Sequence, residues 1–180
     1  MHLVTDSIAV ELMFTAILRP FSYMTKEQFG RFDPRERCYA HSGSLTSAAW
    51  TFRAFSILHF EYWLTHALGT AAYIVIRESE KAPIQIDTLV RACQCLHEMK
   101  VSLPLATDVL SGIHTAFKKY KLQVPDHMKK YFTELHRKDG LMHNAIVSLL
   151  PDWTELGRTG NGADLLLQEL LNELDGLGID

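Results

Sequence analysis

The stretch LHFEYWLTHALGTAAYIVIRES, residues 58–79, decides the fold because it is the most hydrophobic part of the chain. Its apolar centre runs from Tyr62 to Ile76, which is 15 residues, whereas a membrane-spanning helix needs roughly 20. The run YIVI at 73–76 favours a strand locally, but its helical context outweighs that preference. The stretch therefore predicts a buried core helix.

Segments on both sides of this core helix also have helical patterns. The spacing predicts helices over 6–19, 35–55 with a possible break at Gly43, 87–100 capped by Asp87, 104–121 and, shorter, 126–139. Pro20 ends the first helix because proline lacks the amide donor that a helix needs, and residues 20–34 are predicted as a long surface loop. The sequence thus predicts an all-α fold, a multi-helix orthogonal or bundle-like array without a sheet.

Charge divides the chain into two parts. Residues 1–150 carry 17 Lys and Arg against 14 Asp and Glu, which gives +3, whereas residues 151–180 carry one base and seven acids, which gives −6; the sum is the −3 of the whole chain. We therefore expect a helical domain over 1–155, followed over 156–180 by a glycine-containing linker and an acidic amphipathic helix. The acidic tail repels phosphate, so it is not expected to bind nucleic acid.

Motifs for metal binding or catalysis are missing from the sequence. The three cysteines, Cys38, Cys93 and Cys95, form neither a disulfide framework nor paired zinc ligands. The nine histidines include no His-x-x-x-His pair, and no Gly-x-Ser-x-Gly nucleophile motif occurs. We expect buried thiols, no metal and no cofactor in this chain, and no enzymatic activity.

One helical face nevertheless mixes aromatic and polar side chains. His59, Trp63, His66, Thr70 and Tyr73 follow helical spacing on the core helix. An interior helix with hydrogen-bonded polar tips explains this pattern, and a small-molecule pocket built around His59, Trp63, His66 and Tyr73 is the alternative.

The acidic tail contains a leucine stripe at 164–174. Leu167, Leu170 and Leu171 have the Leu-x-x-Leu-Leu spacing that places three leucines on one helical face for a partner's groove. The same stripe could pack on the domain as its last core element. Both interpretations stay open at this point, with Leu167, Leu170 and Leu171 as candidate partner-binding residues.

The order of segments resembles the regulatory, or middle homology, region of fungal zinc-cluster transcription factors. A helix rich in Leu and Ile ends in Arg19-Pro20-Phe21, a loop leads to a helix that starts near Cys38 and ends near Phe55, and the strongly apolar Tyr62–Ile76 segment follows. The resemblance covers roughly residues 6–150 and is to the later part of that region. It implies a nuclear protein that regulates transcription through protein partners, such as the transcription machinery or a co-regulator, and possible control by a small-molecule effector.

This sequence departs from the family in one large respect. The family binds DNA through a six-cysteine cluster that holds two zinc ions, and three cysteines without a Cys-x-x-Cys pair cannot build it. The chain is therefore expected to be a fragment, a truncated gene product or a paralogue without the DNA-binding module, and no direct DNA binding is expected of it. Two other classes remain as alternatives: a helical interaction module unrelated to transcription, and a small helical enzyme with a pocket around His59, His66 and Tyr73.

Overall fold

A computed structural model describes residues 2–53, 62–80, 82–133 and 135. Every regular element in these residues is helical, which confirms the all-α prediction. The six α-helices are α1 His2–Leu18, α2 Lys26–Phe29, α3 Pro34–Arg53, α4 Tyr62–Val75, α5 Pro83–Met99 and α6 Pro104–Lys119. Shorter 3₁₀ turns cover Arg19–Phe21, Ile76–Glu78 and Asp126–Phe132.

The core is built around α4, as its hydrophobicity predicts. Its packed positions are mostly small, and most of its residues between Leu64 and Val75 are buried. It contacts α3, α5 and α6, and α5 also contacts α3 and α6. The strand tendency of the YIVI run is overridden, since 73–75 are α-helical and Ile76 opens a 3₁₀ turn. Burial on several sides explains why this helix is apolar around most of its circumference.

Prolines set the starts of two helices. Pro83 and Pro104 occupy the first positions of α5 and α6, and the residues before them, Ala82 and Leu103, have extended backbones. Proline suits this position because its missing amide has no helical partner there and it disfavours helix in the preceding residue. The prediction that Asp87 caps α5 is wrong: the helix begins at Pro83, and Asp87 instead pairs with Arg91 at 2.9 Å one turn later.

The predicted loop over 20–34 contains helical structure. Arg19–Phe21 extends α1 as a 3₁₀ turn, and Thr25 and Gln28 form a capping box that starts α2. Gly30 ends α2 with a φ of 100°, a conformation that favours glycine. The Asp33 carboxylate then accepts from the amides of Arg35 and Glu36 at 2.8 and 3.2 Å, which caps α3.

Helix α3 runs without the break considered at Gly43. It packs against α1 on one side and against α4 and α5 on the others. The predicted helices at 35–55 and 58–79 thus correspond to α3 and α4, with 54–61 outside the described residues. The segment predicted as a helix from Asp126 is a 3₁₀ turn, packed on α5 and α6.

We predict that Gly69→Ala destabilises the fold whereas Gly43→Ala does not. A Cβ at Gly69 would lie 2.8 Å from Val109 Cγ1, while one at Gly43 would meet only Thr88 Oγ1, at 3.7 Å. Overpacking costs about 1–3 kcal/mol, against a helix-propensity gain of roughly 0.5–1 kcal/mol for either change. Urea denaturation should therefore show a lower free energy of unfolding for Gly69→Ala and an equal or higher one for Gly43→Ala.

A double-mutant cycle with Val109→Ala checks the cause. If the clash explains the loss, Gly69→Ala costs less free energy of unfolding in the Val109→Ala background than in the wild type. Additive effects of the two substitutions would contradict the close approach of α4 to α6.

Candidate functional site

The predicted pocket face lies on α4 and changes character along the helix. His66 is exposed, Trp63 is half-buried and Thr70 is buried, while His59 lies outside the described residues. Trp63 and Tyr73 pack against the hydrophobic core. The structure thus places His66 in solvent and Tyr73 towards the interior, so that these side chains lie at different depths.

The Tyr73 hydroxyl is buried against α6. It occupies the space where a Cβ on residue 112 would be, which leaves room only for the glycine that is there. The hydroxyl has no hydrogen-bond partner among the described residues. Burial is the main cause that raises the pKa of Tyr73, and nearby Tyr120 and Cys93 add to it. This hydroxyl is therefore a neutral, tightly packed group and unsuited to act as a base at neutral pH.

The three cysteines are all buried and free, as their number and spacing predict. Burial raises the pKa of Cys38 to about 11 and that of Cys95 to about 12, and it raises the pKa of Cys93 as well. A buried thiol with a raised pKa is a poor nucleophile at neutral pH. In the part of the chain that the structure describes, no group of three or more His, Cys, Asp or Glu side chains is arranged to hold a metal ion.

A polar network that sequence reasoning missed joins α3, α5 and the Asp126–Phe132 turn. Arg53 Nε donates to Glu98 Oε2 at 2.6 Å, Gln94 Nε2 donates to Glu98 Oε1 at 3.3 Å, and the Tyr131 hydroxyl donates to Gln94 Oε1 at 3.1 Å. Burial alone would raise the pKa of Glu98, but the hydrogen bonds from Arg53 and Gln94 outweigh it and lower the pKa. Partners 37 and 45 residues apart in sequence leave no local signal.

Among the described helices, α1 carries the most exposed large apolar side chains. Ile8, Thr15 and Leu18 are buried on the side that faces α3. On the rest of the helix surface Val10, Met13, Phe14 and Ile17, spaced i, i+3, i+4 and i+7, are 48–62% exposed. Such a contiguous stripe is typical of an interaction surface, and we call these four residues the α1 stripe.

Side chains around the α1 stripe hold it in place. The Phe14 ring stacks on His41 of α3 with centroids 5.0 Å apart, and His41 Nδ1 lies 2.6 Å from Glu11 Oε2. Beyond the end of α1 three aromatic rings pack in a row, with centroid distances of 5.7 Å from Phe21 to Phe29 and 5.0 Å from Phe29 to Phe32. The Arg37 guanidinium lies 5.5 Å from the Phe32 ring and adds a positive charge at that end.

The other candidate partner-binding residues, Leu167, Leu170 and Leu171, lie outside the described residues, as does the whole predicted segment 156–180. Among the described helices, none is both long enough and apolar enough to cross a membrane.

No family model, no curated protein and no solved structure matches this chain. The candidate site is therefore defined by its own geometry alone. That geometry includes an exposed apolar stripe on α1. The cysteine thiols, which are candidate nucleophiles, are buried and neutral.

We predict that the native thiols react very slowly with a disulfide reagent. At pH 8 a thiol with a pKa of about 11 is only about a thousandth ionised, and burial also blocks access. Ellman's reagent should titrate far less than one equivalent within minutes from the folded protein, and three equivalents in urea. Ser44→Cys, at an exposed position of α3, is the positive control. One equivalent of thiol that reacts within minutes in the folded wild type would contradict the burial of the three cysteines.

We also predict that the α1 stripe dominates the binding of hydrophobic dyes. Met13→Glu with Ile17→Glu should lower anilinonaphthalene sulfonate fluorescence and self-association while leaving the free energy of unfolding within about 0.5 kcal/mol, as for other exposed sites. Ile84→Glu with Val101→Glu is the matched control, because these residues are 77% and 83% exposed but stand away from α1. Equal loss of fluorescence in both pairs would contradict a special role of the stripe.

Proposed function

We propose that this chain is part of the regulatory domain of a fungal zinc-cluster transcription factor and acts by binding proteins rather than by catalysis. The observation that carries the proposal is the α1 stripe, a preformed apolar surface on the helix that leads into Arg19-Pro20-Phe21. Apolar stripes at i, i+3, i+4 and i+7 are suited to contact a partner's helix or groove. The partner in this proposal is a co-regulator or a component of the transcription machinery.

The segments that carry the family resemblance form one structural unit, which supports the proposal. Arg19–Phe21 continues α1 directly, and α1 lies along α3, which carries Cys38 in a buried position. Burial of Cys38 gives a packing reason for a small, apolar residue there. The elements that carry these residues are in contact with one another.

The chemistry of the described side chains also favours binding. The three thiols have raised pKa values, and the hydroxyl of Tyr73 is buried against Gly112. An active site instead needs a nucleophile or base that is accessible and has a pKa near the working pH. In this proposal the acidic segment with Leu167, Leu170 and Leu171 contributes a second contact to the same class of partner, and the protein works in the nucleus.

We expect the full chain, fused to an unrelated DNA-binding domain in fungal cells, to change reporter expression relative to that DNA-binding domain alone. Met13→Glu with Ile17→Glu should reduce the change because it places charges in the α1 stripe. Leu170→Ala with Leu171→Ala should also reduce it if the tail contacts the partner. Immunoblots of each fusion give the protein level against which reporter activity is normalised.

The control pair Ile84→Glu and Val101→Glu should leave reporter expression unchanged, since these residues are exposed elsewhere on the surface. A fusion that behaves like the DNA-binding domain alone would contradict a role in transcription and favour an interaction module of another kind. Sequencing of the coding DNA upstream gives an independent test, in which a six-cysteine cluster in the same reading frame is the expected finding.

A further inference from the structure

The Asp126–Phe132 turn is held on α5 and α6 by buried side chains. Met128 and Tyr131 are buried, and the turn contacts both helices. Its attachment depends on the burial of Met128 and Tyr131 and on the contacts that Tyr131 and Phe132 make with side chains of α5 and α6.

Two histidines, one from α5 and one from α6, pack against the aromatic side chains of the turn. The His97 ring, on α5, lies 5.5 Å from the Tyr131 ring at an angle of 60°, and the His114 ring, on α6, stacks on Phe132 at 5.2 Å and 13°. Phe117 adds an edge contact to Phe132 at 6.0 Å. Each of the two adjacent aromatic residues of the turn thus packs on a histidine from a different helix.

The surroundings of His97 favour its neutral form over its protonated form. Its Nδ1 is buried and has no hydrogen-bond partner among the described residues. In the neutral ring this atom can be the unprotonated nitrogen, whereas in the charged ring both nitrogens are donors. A proton on Nδ1 would create a buried donor without an acceptor, which is costly.

The charges around both rings add to this preference. His97 faces Glu98 and Lys100 from α5 and Lys130 and Tyr131 from the turn, and His114 faces Lys118 from α6. Burial is the largest cause that lowers the pKa of His97, with Lys100 and Lys130 adding to it and Glu98 and the Tyr131 backbone opposing it. Burial, followed by Lys118, likewise lowers the pKa of His114.

We propose that His97 and His114 form a pH-sensitive latch that holds the Asp126–Phe132 turn on α5 and α6 when both are neutral and releases it when they are protonated. Because the folded protein binds these protons less readily than the unfolded chain, the stabilisation is present above the unfolded pKa of about 6.5 and is lost as the pH falls through the lower folded values. Protonation would place two further positive charges beside Lys100, Lys118 and Lys130. The latch is independent of the function proposed above.

Hydrogen exchange of the full chain, followed by mass spectrometry, tests the latch. Protection factors, corrected for intrinsic exchange at each pH, are compared at pH 7.5 and 5.0. We expect peptides covering 126–133 to lose protection by about five- to tenfold, the order of magnitude that one unsatisfied buried polar group produces. Peptides from α4 should keep their protection, which separates local release from global unfolding.

The variant with His97→Gln and His114→Gln should lose this pH dependence because glutamine does not titrate. His66→Gln and His127→Gln, at exposed positions on α4 and on the turn itself, are the controls and should retain it. Loss of protection at pH 5.0 that persists in the double variant, or equal loss in α4, would overturn the latch. If the double variant does not fold, an NMR pH titration of the wild type provides the test. The latch would be overturned if the ring signals of Tyr131 and Phe132 did not shift over the pH range in which His97 and His114 titrate.

Discussion

The close approach of α4 to α6 at Gly69 is the constraint on which the rest of the described structure depends. Only glycine fits at position 69 without moving Val109, because a Cβ at that position would lie 2.8 Å from Val109 Cγ1. The same pair of helices is fixed one turn further on, where the Tyr73 hydroxyl fills the space above Gly112. With α4 and α6 held together at two glycines, α3 and α5 complete the core around α4, and the outer elements attach to that frame.

The outer elements are attached in two different ways. On one side α1 presents Ile8 and Leu18 to the α3 side and leaves an apolar stripe outside, and Glu11 adds a polar contact, with its Oε2 2.6 Å from Nδ1 of His41 on α3. On the other side the Asp126–Phe132 turn is joined through aromatic contacts to histidines and through the Tyr131–Gln94–Glu98–Arg53 hydrogen bonds. Polar and titratable contacts respond to pH and salt, and the two attachments differ in that the turn relies on aromatic contacts to histidines whereas α1 buries aliphatic side chains.

Much of the fold could be predicted from the sequence because its signals are local. Hydrophobicity locates α4, apolar spacing locates the body of α5 and Pro104 locates the start of α6, while the number and spacing of the cysteines predict that they form no disulfide. The start of α5 was misplaced because Asp87 resembles a cap while Pro83 is the actual start, and the 20–34 segment hides a four-residue helix that its capping box sets. The candidate site was harder to predict: the α1 stripe becomes visible only when the opposite side of α1 is known to face α3, and the histidine contacts with Tyr131 and Phe132 join distant residues.

The exposed apolar side chains of α1 carry an energetic cost that bears on function. Exposure of Val10, Met13, Phe14 and Ile17 leaves apolar area in contact with water, which is unfavourable at roughly 25 cal/mol per Å². Phe14 contacts α3 through its stacking on His41, and Ile8, Thr15 and Leu18 are buried on the side of α1 that faces α3. Val10, Met13 and Ile17 are 49–62% exposed, so the packing of the described domain gives little reason for these three side chains to be apolar. A partner that buries them would account for their character, and this is the physical basis for assigning the α1 stripe a role in binding.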